Sequence, residues 1–387
     1  MLQPPLVRDQ FRRSQLAIAA LFCFLGFQYA TWASRLPAMK SELGLTAADL
    51  GLLLLACGVG AAVSFPLVAV LMRRLGSRRL AFASAAGLGL VLPALAVTPN
   101  YPVALAVMFL DGVGVACLNV AMNAQGAALE VAYERTAMAK LHATFSAGSL
   151  AAALLASGVH TATSSLRVHF GTAAALLLLL VLYARPGLLT EDLRPPEKTT
   201  RRKFTVPSRV TAWMGGAMVF GTVTEGAMND WSALYLEDVA HASEQLAPMG
   251  IAVVSVMMVL ARLFADGWRT RWGDGRIVRV GSALAGTGLA LALLAGGVVP
   301  ALIGFACVGL GIAAVTPCVY VAAAKQGPDA LTVVAATGAT GLLAGPPVIG
   351  FIADASDLAW GMGAVAASAI LVSLCATRIR WPAPADD

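Results

Sequence analysis

Charge is what this sequence has least of. Asp, Glu, Lys and Arg make up 12% of its 387 residues, where an ordinary soluble domain carries about 25%. A soluble chain so built could not cover its surface with polar groups, whereas a chain dissolved in lipid needs no such cover. The 58% hydrophobic content and mean hydropathy of +0.77 fit the second case. Histidine is scarcer still, with four residues scattered at 142, 160, 169 and 241, which argues against a His-based metal site. The six cysteines (Cys23, Cys57, Cys117, Cys307, Cys318 and Cys375) lie in apolar segments with no CxxC pair. They read as small buried hydrophobes rather than a disulfide frame or a zinc site. Nucleophile-plus-base pairs and phosphate loops are lacking too, and the Gly-x-Gly runs fall inside apolar segments, where they read as packing motifs. No metal, no cofactor and no enzymatic activity are expected.

What is present is a series of long apolar runs. A bilayer core takes roughly 20 apolar residues per helix, and about twelve such stretches can be drawn, as expected of a two-bundle transporter. They cover 15–35, 47–71, 79–98, 102–124, 139–160, 166–184, 210–236, 247–268, 277–296, 298–321, 330–352 and 358–377. Their continuity, without alternation, excludes a β-barrel. Lys and Arg concentrate on one side of this topology: Arg8, Arg12 and Arg13, then Arg73 to Arg79, Arg135, Lys140, the linker, Arg269 to Arg279, Lys325, Arg378 and Arg380. The other side keeps Arg35, Lys40 and Arg167. That bias predicts cytoplasmic N- and C-termini. It explains the net charge of +6 without a nucleic-acid partner. The first span outruns a secretory h-region and ends in "TWASRLPAMK" without a convincing cleavage site, so it reads as a retained helix.

One long polar stretch, "LTEDLRPPEKTTRRKFTVPSR", divides the runs six and six. The expected organisation is a bundle at 1–188, a cytoplasmic linker at 189–209 and a second bundle at 210–387. The halves repeat at an offset of 197 residues. Gly112, Gly114 and Ala116 meet Gly309, Gly311 and Ala313; Arg74, Gly76 and Arg79 meet Arg271, Gly273 and Arg276; Gly148 meets Gly345. With an even number of spans in each half, the repeats are parallel, related by an axis along the membrane normal, an architecture whose substrate site lies near mid-membrane. The fold class is therefore an all-α membrane protein of two six-helix parallel-repeat bundles.

Ionisable groups inside a membrane cost about 2.5–3.5 kcal/mol on insertion scales and are functional candidates by default. Here they are Asp111 in the fourth span, Glu225 and Asp230 in the seventh, Arg262 and Asp266 in the eighth, and His142 at the start of the fifth. All except Arg262 and Asp266 are proton-coupling candidates. Arg262 and Asp266 share a helix face at i, i+4, and read either as a structural ion pair or as a gate latch. Glu225 and Asn229 lie about 40° apart on the helix while Asp230 points about 140° from Glu225, so the two acids do not form a dyad.

The chain resembles the major facilitator superfamily over essentially its whole length. The superfamily loop after the second span reads G-x-x-x-D-R-x-G-R-R; here "AVLMRRLGSRR" puts Ala69 and Arg73 in place of its glycine and aspartate. Arg74 and its repeat counterpart Arg271 are the gating candidates of the two loops. The stretches "TWASRLPAMKSELGLTAADLGLLLLACGVG", "LNVAMNAQGAALE", "LHATFSAGS", "EGAMNDWSALYL" and "AGPPVIGFIAD" resemble the bacterial branch that contains rhizopine-transport-type membrane proteins and relatives of the fucose permease. The resemblance implies a multi-pass protein of the bacterial inner membrane that works as a monomer by alternating access. It also implies that spans 1, 4, 7 and 10 line a central cavity. The polar residues on those spans, Gln28, Tyr29, Trp32, Arg35, Asn119, Asn123, Asn229, Trp231, Thr316 and Tyr320, become the substrate-binding candidates. Amides bond hydroxyls and aromatic faces stack on CH-rich rings, so a sugar-like or polyol solute is expected; the alternative role for the aromatics is interfacial anchoring, and for the amides interhelical bonding. Gly345 and Pro346 in "GLLAGPPVIG" approximate, in span 11, a pattern that drug/proton antiporters carry in span 5, and join the gating candidates. Proton-coupled symport is the favoured expectation, with antiport efflux and a transporter-like sensor as alternatives.

Overall fold

The computed structural model describes residues 5–135, 137–190 and 208–381, with side chains from residue 9 onward except Ala139, Asp266 and Pro328. Among these residues the regular structure is helical. In chain order the helices are α1 (Pro5–Ala33), α2 (Leu36–Leu43), α3 (Ala47–Val63), α4 (Phe65–Ala96), α5 (Tyr101–Tyr133), α6 (Met138–His160), α7 (Leu166–Ala184), α8 (Arg209–Asp238), α9 (Met249–Trp272), α10 (Asp274–Ala295), α11 (Val298–Ile312), α12 (Val315–Gln326), α13 (Pro328–Ala355) and α14 (Leu358–Ala376).

Local chemistry starts several of them. The Asn100 side chain accepts from the Val103 amide at 3.1 Å, with Pro102 in the first turn of α5. Ser165, Ser208 and Asp357 cap α7, α8 and α14 in the same way. Each satisfies one of the orphan amides at a helix start.

Among the described residues, nine helical stretches are long and apolar enough to cross a membrane, or ten if α2 and α3, bent by 117°, count as one broken span. Helices α8 and α9, at 30 and 24 residues, also exceed the roughly 20 residues a bilayer core needs, but they carry Glu225, Asp230 and Arg262. Leu90, Leu179, Leu263 and Leu294 are exposed, as suits side chains that meet lipid.

Two expected spans prove to be broken. The second stops at Val63, where the Ser64 hydroxyl donates back to the Ala61 carbonyl at 2.8 Å, and resumes as α4. The tenth is interrupted between α11 and α12, three residues before Pro317, whose missing N–H cannot bond the carbonyl at residue 313. Gly76 sits inside α4 at φ 73°, ψ 166°, so the second and third spans meet there. Gly273, 197 residues later, joins α9 to α10 at φ 75°, ψ 150°. Both positions lie in a region that glycine enters without steric penalty.

The repeat extends to packing. A Cβ on Gly112 would fall 1.8 Å from the carbonyl oxygen of Cys57, and one on Gly309 would fall 2.6 Å from that of Val254. Both glycines and both oxygens are related by 197. Gly114 rests on Leu88, and Gly311 touches Ala285 at the corresponding place. The α3·α5 approach in one half is thus rebuilt as α9·α11 in the other, glycine against backbone carbonyl.

The chain divides into two compact units. One comprises Met1–Trp32 and Ala56–Thr200, the other Ala33–Leu55 and Arg201–Asp387, as far as the described residues extend. Residues 33–55, expected in the N-terminal bundle, thus group with the second unit. In the first unit α1 crosses α6 closely: a Cβ on Gly26 would meet the Phe145 carbonyl, and one on Gly148 the Cys23 carbonyl. In the second, Gly51 of α3 approaches Pro346 and Pro347 of α13, and Gly350 approaches the Ala47 carbonyl. Most of the linker expected at 189–209 lies outside the described residues.

Candidate functional site

In the first unit the polar residues gather around Asp111. Its carboxylate is fully buried on α5. Gln28 of α1 donates from Nε2 to Oδ1 at 2.7 Å, and Cys57 of α3 donates from Sγ to Oδ2 at 3.5 Å. Three helices therefore converge on one acid. The other Gln28 amide atom, Oε1, is buried and makes no hydrogen bond among the described residues. Next to Gln28 on α1, Tyr29 meets Trp32 one turn on, edge-on at 4.8 Å between ring centres. Trp32 is buried with its Nε1 unbonded among the described residues. On α5, Asn123 Nδ2 bonds the Asn119 carbonyl at 2.8 Å and its side-chain oxygen at 3.1 Å, so the two amides form one polar ledge. His142 lies away from this cluster on α6, exposed and edge-on to Phe22 at 4.9 Å.

In the second unit the centre is an ion pair. Arg262 Nη2 of α9 lies 3.2 Å from Glu225 Oε1 of α8, each side chain a little over a quarter exposed. The i, i+4 spacing on its own assigns Arg262 to Asp266, whose side chain lies outside the described residues. Asn229 donates from Nδ2 to the Glu225 carbonyl at 3.0 Å. Asp230, by contrast, is buried, so the neighbouring acids occupy different surroundings. Trp231 is buried with Nε1 unbonded among the described residues. Thr316 and Tyr320 are half-buried on α12. Pro346 is buried within α13, and Gly345 packs against Val223 of α8. Arg74 in the first unit and Arg271 in the second are exposed.

Arg35 falls in the connection from α1 to α2 rather than on a span. It is buried, which pushes its guanidinium down from the ordinary value, while Glu244, Glu237 and Glu42 oppose that shift. Beside it Lys40 pairs with Asp238 at 2.5 Å. These carboxylates have no role in the sequence analysis, because they fall at helix ends or, for Glu244, in the α8–α9 connection, where charge is commonplace. Two further contacts were invisible there. Gln125 of α5 donates to Ser77 Oγ at 2.6 Å and to the Leu189 carbonyl at 3.0 Å, and accepts from the Leu189 amide. Glu130 accepts from the amides of Ala137 and Met138 and so closes the turn into α6. Among the described residues no group of three or more His, Cys, Asp or Glu side chains is placed to hold a metal ion.

Known proteins resemble the chain in sequence and in fold. The family described as the Major Facilitator Superfamily matches residues 16–335. An "uncharacterized MFS-type transporter" of Yersinia pestis is 33% identical over 375 residues, 94% of this chain and 95% of that protein. The membrane protein MosC of Rhizobium meliloti is 30% identical over 370 residues, 93% of this chain and 88% of that one. Among solved structures, a nucleoside transporter, NupG (D323A mutant), aligns at TM-score 0.74 and 14% identity over 95% of this chain and 99% of its own. The fucose:proton symporter FucP of E. coli (N162A) aligns at TM-score 0.64 and 16% identity over 95% and 98%. At such identities these two structures speak for the fold alone.

Proposed function

The chain belongs to the major facilitator superfamily and is a membrane transporter, and from that premise we propose that it moves a small polar organic solute by proton-coupled symport, through alternating access of twelve spans in a bacterial inner membrane. The observation that carries this reading is Asp111, a fully buried carboxylate held by one amide and one thiol. An ionised acid at membrane depth is expensive to keep, and neither donor on Asp111 is a cation, so we assign it the proton. Glu225, tied to Arg262 across two helices, is the second coupling group: the pair breaks when solute or proton claims either partner. Asp230 in the second unit and His142 in the first are assigned supporting roles in proton coupling, each within its own unit.

The solute class follows from donors and acceptors left open. Gln28 Oε1, Trp32 Nε1 and Trp231 Nε1 are buried without hydrogen bonds among the described residues, and buried polar groups of that kind ordinarily find partners. Hydroxyls supply them. Asn119, Asn123, Asn229, Thr316 and Tyr320 add amides and hydroxyls, and the Tyr29–Trp32 pair offers an aromatic face. A sugar, polyol or nucleoside-like solute suits this set, and solved relatives of the same fold are described as a nucleoside transporter and a fucose:proton symporter. Arg35, faced by three glutamates, is better suited to closing the outer end than to holding solute, and Arg74, Arg271, Gly345 and Pro346 are assigned to gating.

The test begins with thermal shift of detergent-purified protein against sugars, polyols, inositols, nucleosides and lipophilic cations at two pH values, since a ligand of the native state raises apparent stability. The expected hit is a hydroxyl-rich solute whose shift depends on pH. In proteoliposomes, Asp111→Asn then abolishes solute-driven proton uptake while solute counterflow persists. Proton flux unchanged in Asp111→Asn would overturn the assignment. A hit confined to lipophilic cations would replace symport with antiport efflux.

A further inference from the structure

We propose that the second unit carries a built-in site for one anionic phospholipid, in a groove between α9, α10 and α11. The groove holds about 410 Å³ and is lined by Trp268, Trp272, Ile277, Leu284, Gly311 and Ala314, with Arg276 at its rim. Its floor is made by two glycines. A Cβ on Gly281 would meet the Gly311 carbonyl oxygen at 2.6 Å, and one on Gly311 would meet that of Gly281 at 2.1 Å. The two backbones meet directly, with the Ala285 side chain beside Gly311, and both glycines line the trough. Residues 277, 280, 281 and 284 fall on one face of α10 by helical period, so the trough runs along that helix from its N-terminal end into the apolar layer.

Position and charge select the occupant. Phe264, Trp268 and Trp272 form a stacked ladder on α9, with ring centres 6.0 and 6.2 Å apart. Indole rings of this kind gather at the membrane–water interface. Beside the ladder stand Arg276, exposed and in no ion pair among the described residues, and Arg271, whose guanidinium lies 5.9 Å from the Trp272 ring centre. Arg269 is spent on Asp274 at 2.8 Å, and among the described residues no carboxylate lines the groove. Arg276 at the rim of an apolar trough, with Arg271 on the adjoining Trp272 ring, matches a phosphate and its acyl chain, the pattern of basic pockets between spans that bind anionic headgroups.

The repeat supplies a control within the molecule. At an offset of 197, Trp268, Trp272 and Gly281 correspond to Leu71, Leu75 and Ser84, and Ala285, beside Gly311, corresponds to the larger Leu88 on Gly114. Helix packing is shared between the halves without the aromatic ladder or the Gly281–Gly311 contact. These features therefore belong to something other than the fold.

Native mass spectrometry of the full chain, released from detergent after equilibration with dioleoyl phosphatidylglycerol or dioleoyl phosphatidylcholine, tests the proposal. The expected result is one retained phosphatidylglycerol, favoured over phosphatidylcholine by about fivefold or more, the weight of a single surface arginine on anionic lipid. Arg276→Gln, at an exposed position, removes most of that preference while leaving phosphatidylcholine retention unchanged. Leu284→Trp, which fills the trough, lowers retention of both lipids. Equal retention of the two lipids by the parent protein, or full phosphatidylglycerol preference in Arg276→Gln, would overturn the site. A dimer that displaces lipid and is lost in Leu284→Trp would overturn it in favour of a second copy of the chain.

Discussion

At the scale of single residues, the ionisable groups divide by what holds them. Asp111 is held by neutral donors, Glu225 by a cation, and Arg35 by the field of several carboxylates. The Glu225–Arg262 pair makes a prediction of its own. Removing one partner of a partly buried pair leaves the other charge uncompensated, whereas removing both does not. Arg262→Gln is therefore expected to destabilise the protein by about 1 kcal/mol, a figure kept small because water reaches the pair. The Glu225→Gln/Arg262→Gln double variant recovers part of that loss, as read by thermal unfolding in detergent. Strict additivity of the two single variants would show that the pair has no energetic coupling. The sequence made each of these charged residues conspicuous, because charge in an apolar run has few other reasons to be there. It could not show that Arg262 reaches Glu225 on another helix. Helical period reports only neighbours on the same helix. Cys57 escaped notice for a related reason: a cysteine in an apolar run looks like packing until an acid is found beside it.

Helices, rather than residues, carry the repeat, and their contacts are where glycine matters most. The four glycines at 112, 114, 309 and 311 were legible as a pattern because two short motifs share one offset. The purpose of Gly112 and Gly309, backbone against backbone at α3·α5 and α9·α11, needed the structure, as did the contacts of Gly114 with Leu88 of α4 and of Gly311 with Gly281 of α10. Gly112→Ala drives a methyl group against the Cys57 carbonyl, at 1.8 Å for an unrelaxed backbone; overpacking of this kind costs about 1–3 kcal/mol. Gly309→Ala meets the Val254 carbonyl at 2.6 Å and is expected to cost less. Gly87 of α4 has nothing within 4 Å of a built Cβ, so Gly87→Ala is expected to leave stability unchanged or raise it by up to about 1 kcal/mol, the helix propensity difference. Unfolding temperatures of the three variants in one detergent check the order, and a Gly112→Ala protein as stable as Gly87→Ala would contradict this packing. Span boundaries were less legible than span existence. Hydropathy averages over about 20 residues, so it passes across Ser64 and the break at 313–314, where one hydroxyl and one missing N–H interrupt the helix.

For the whole molecule, the informative feature is the assignment of residues 33–55. The chain leaves one compact unit at Trp32, contributes α2 and the start of α3 to the other, and returns at Ala56. Hydropathy divides the spans six and six by counting along the chain, and nothing in such a count can report which helices pack together. Inside the second unit this segment is fastened by polar and apolar contacts: Lys40 to Asp238 of α8 at 2.5 Å, and Gly51 and Ala47 against Pro346, Pro347 and Gly350 of α13. Alternating access, as proposed above, is expected to make a segment so divided between units release one of its attachments in every cycle. Lys40 and Asp238 sit at that attachment and are partly exposed, which makes them accessible to a cross-linker. In a Lys40→Cys/Asp238→Cys variant with the six native cysteines replaced, oxidation to a disulfide is expected to arrest solute counterflow in proteoliposomes, and reduction to restore it. Each single cysteine variant should transport at close to the parent rate under both conditions, because an exposed ion pair contributes at most about 1 kcal/mol. Counterflow that continues through a fully formed disulfide between positions 40 and 238 would mean that residues 33–55 ride permanently with the second unit, and that the moving boundary lies at Trp32 and Ala56 instead.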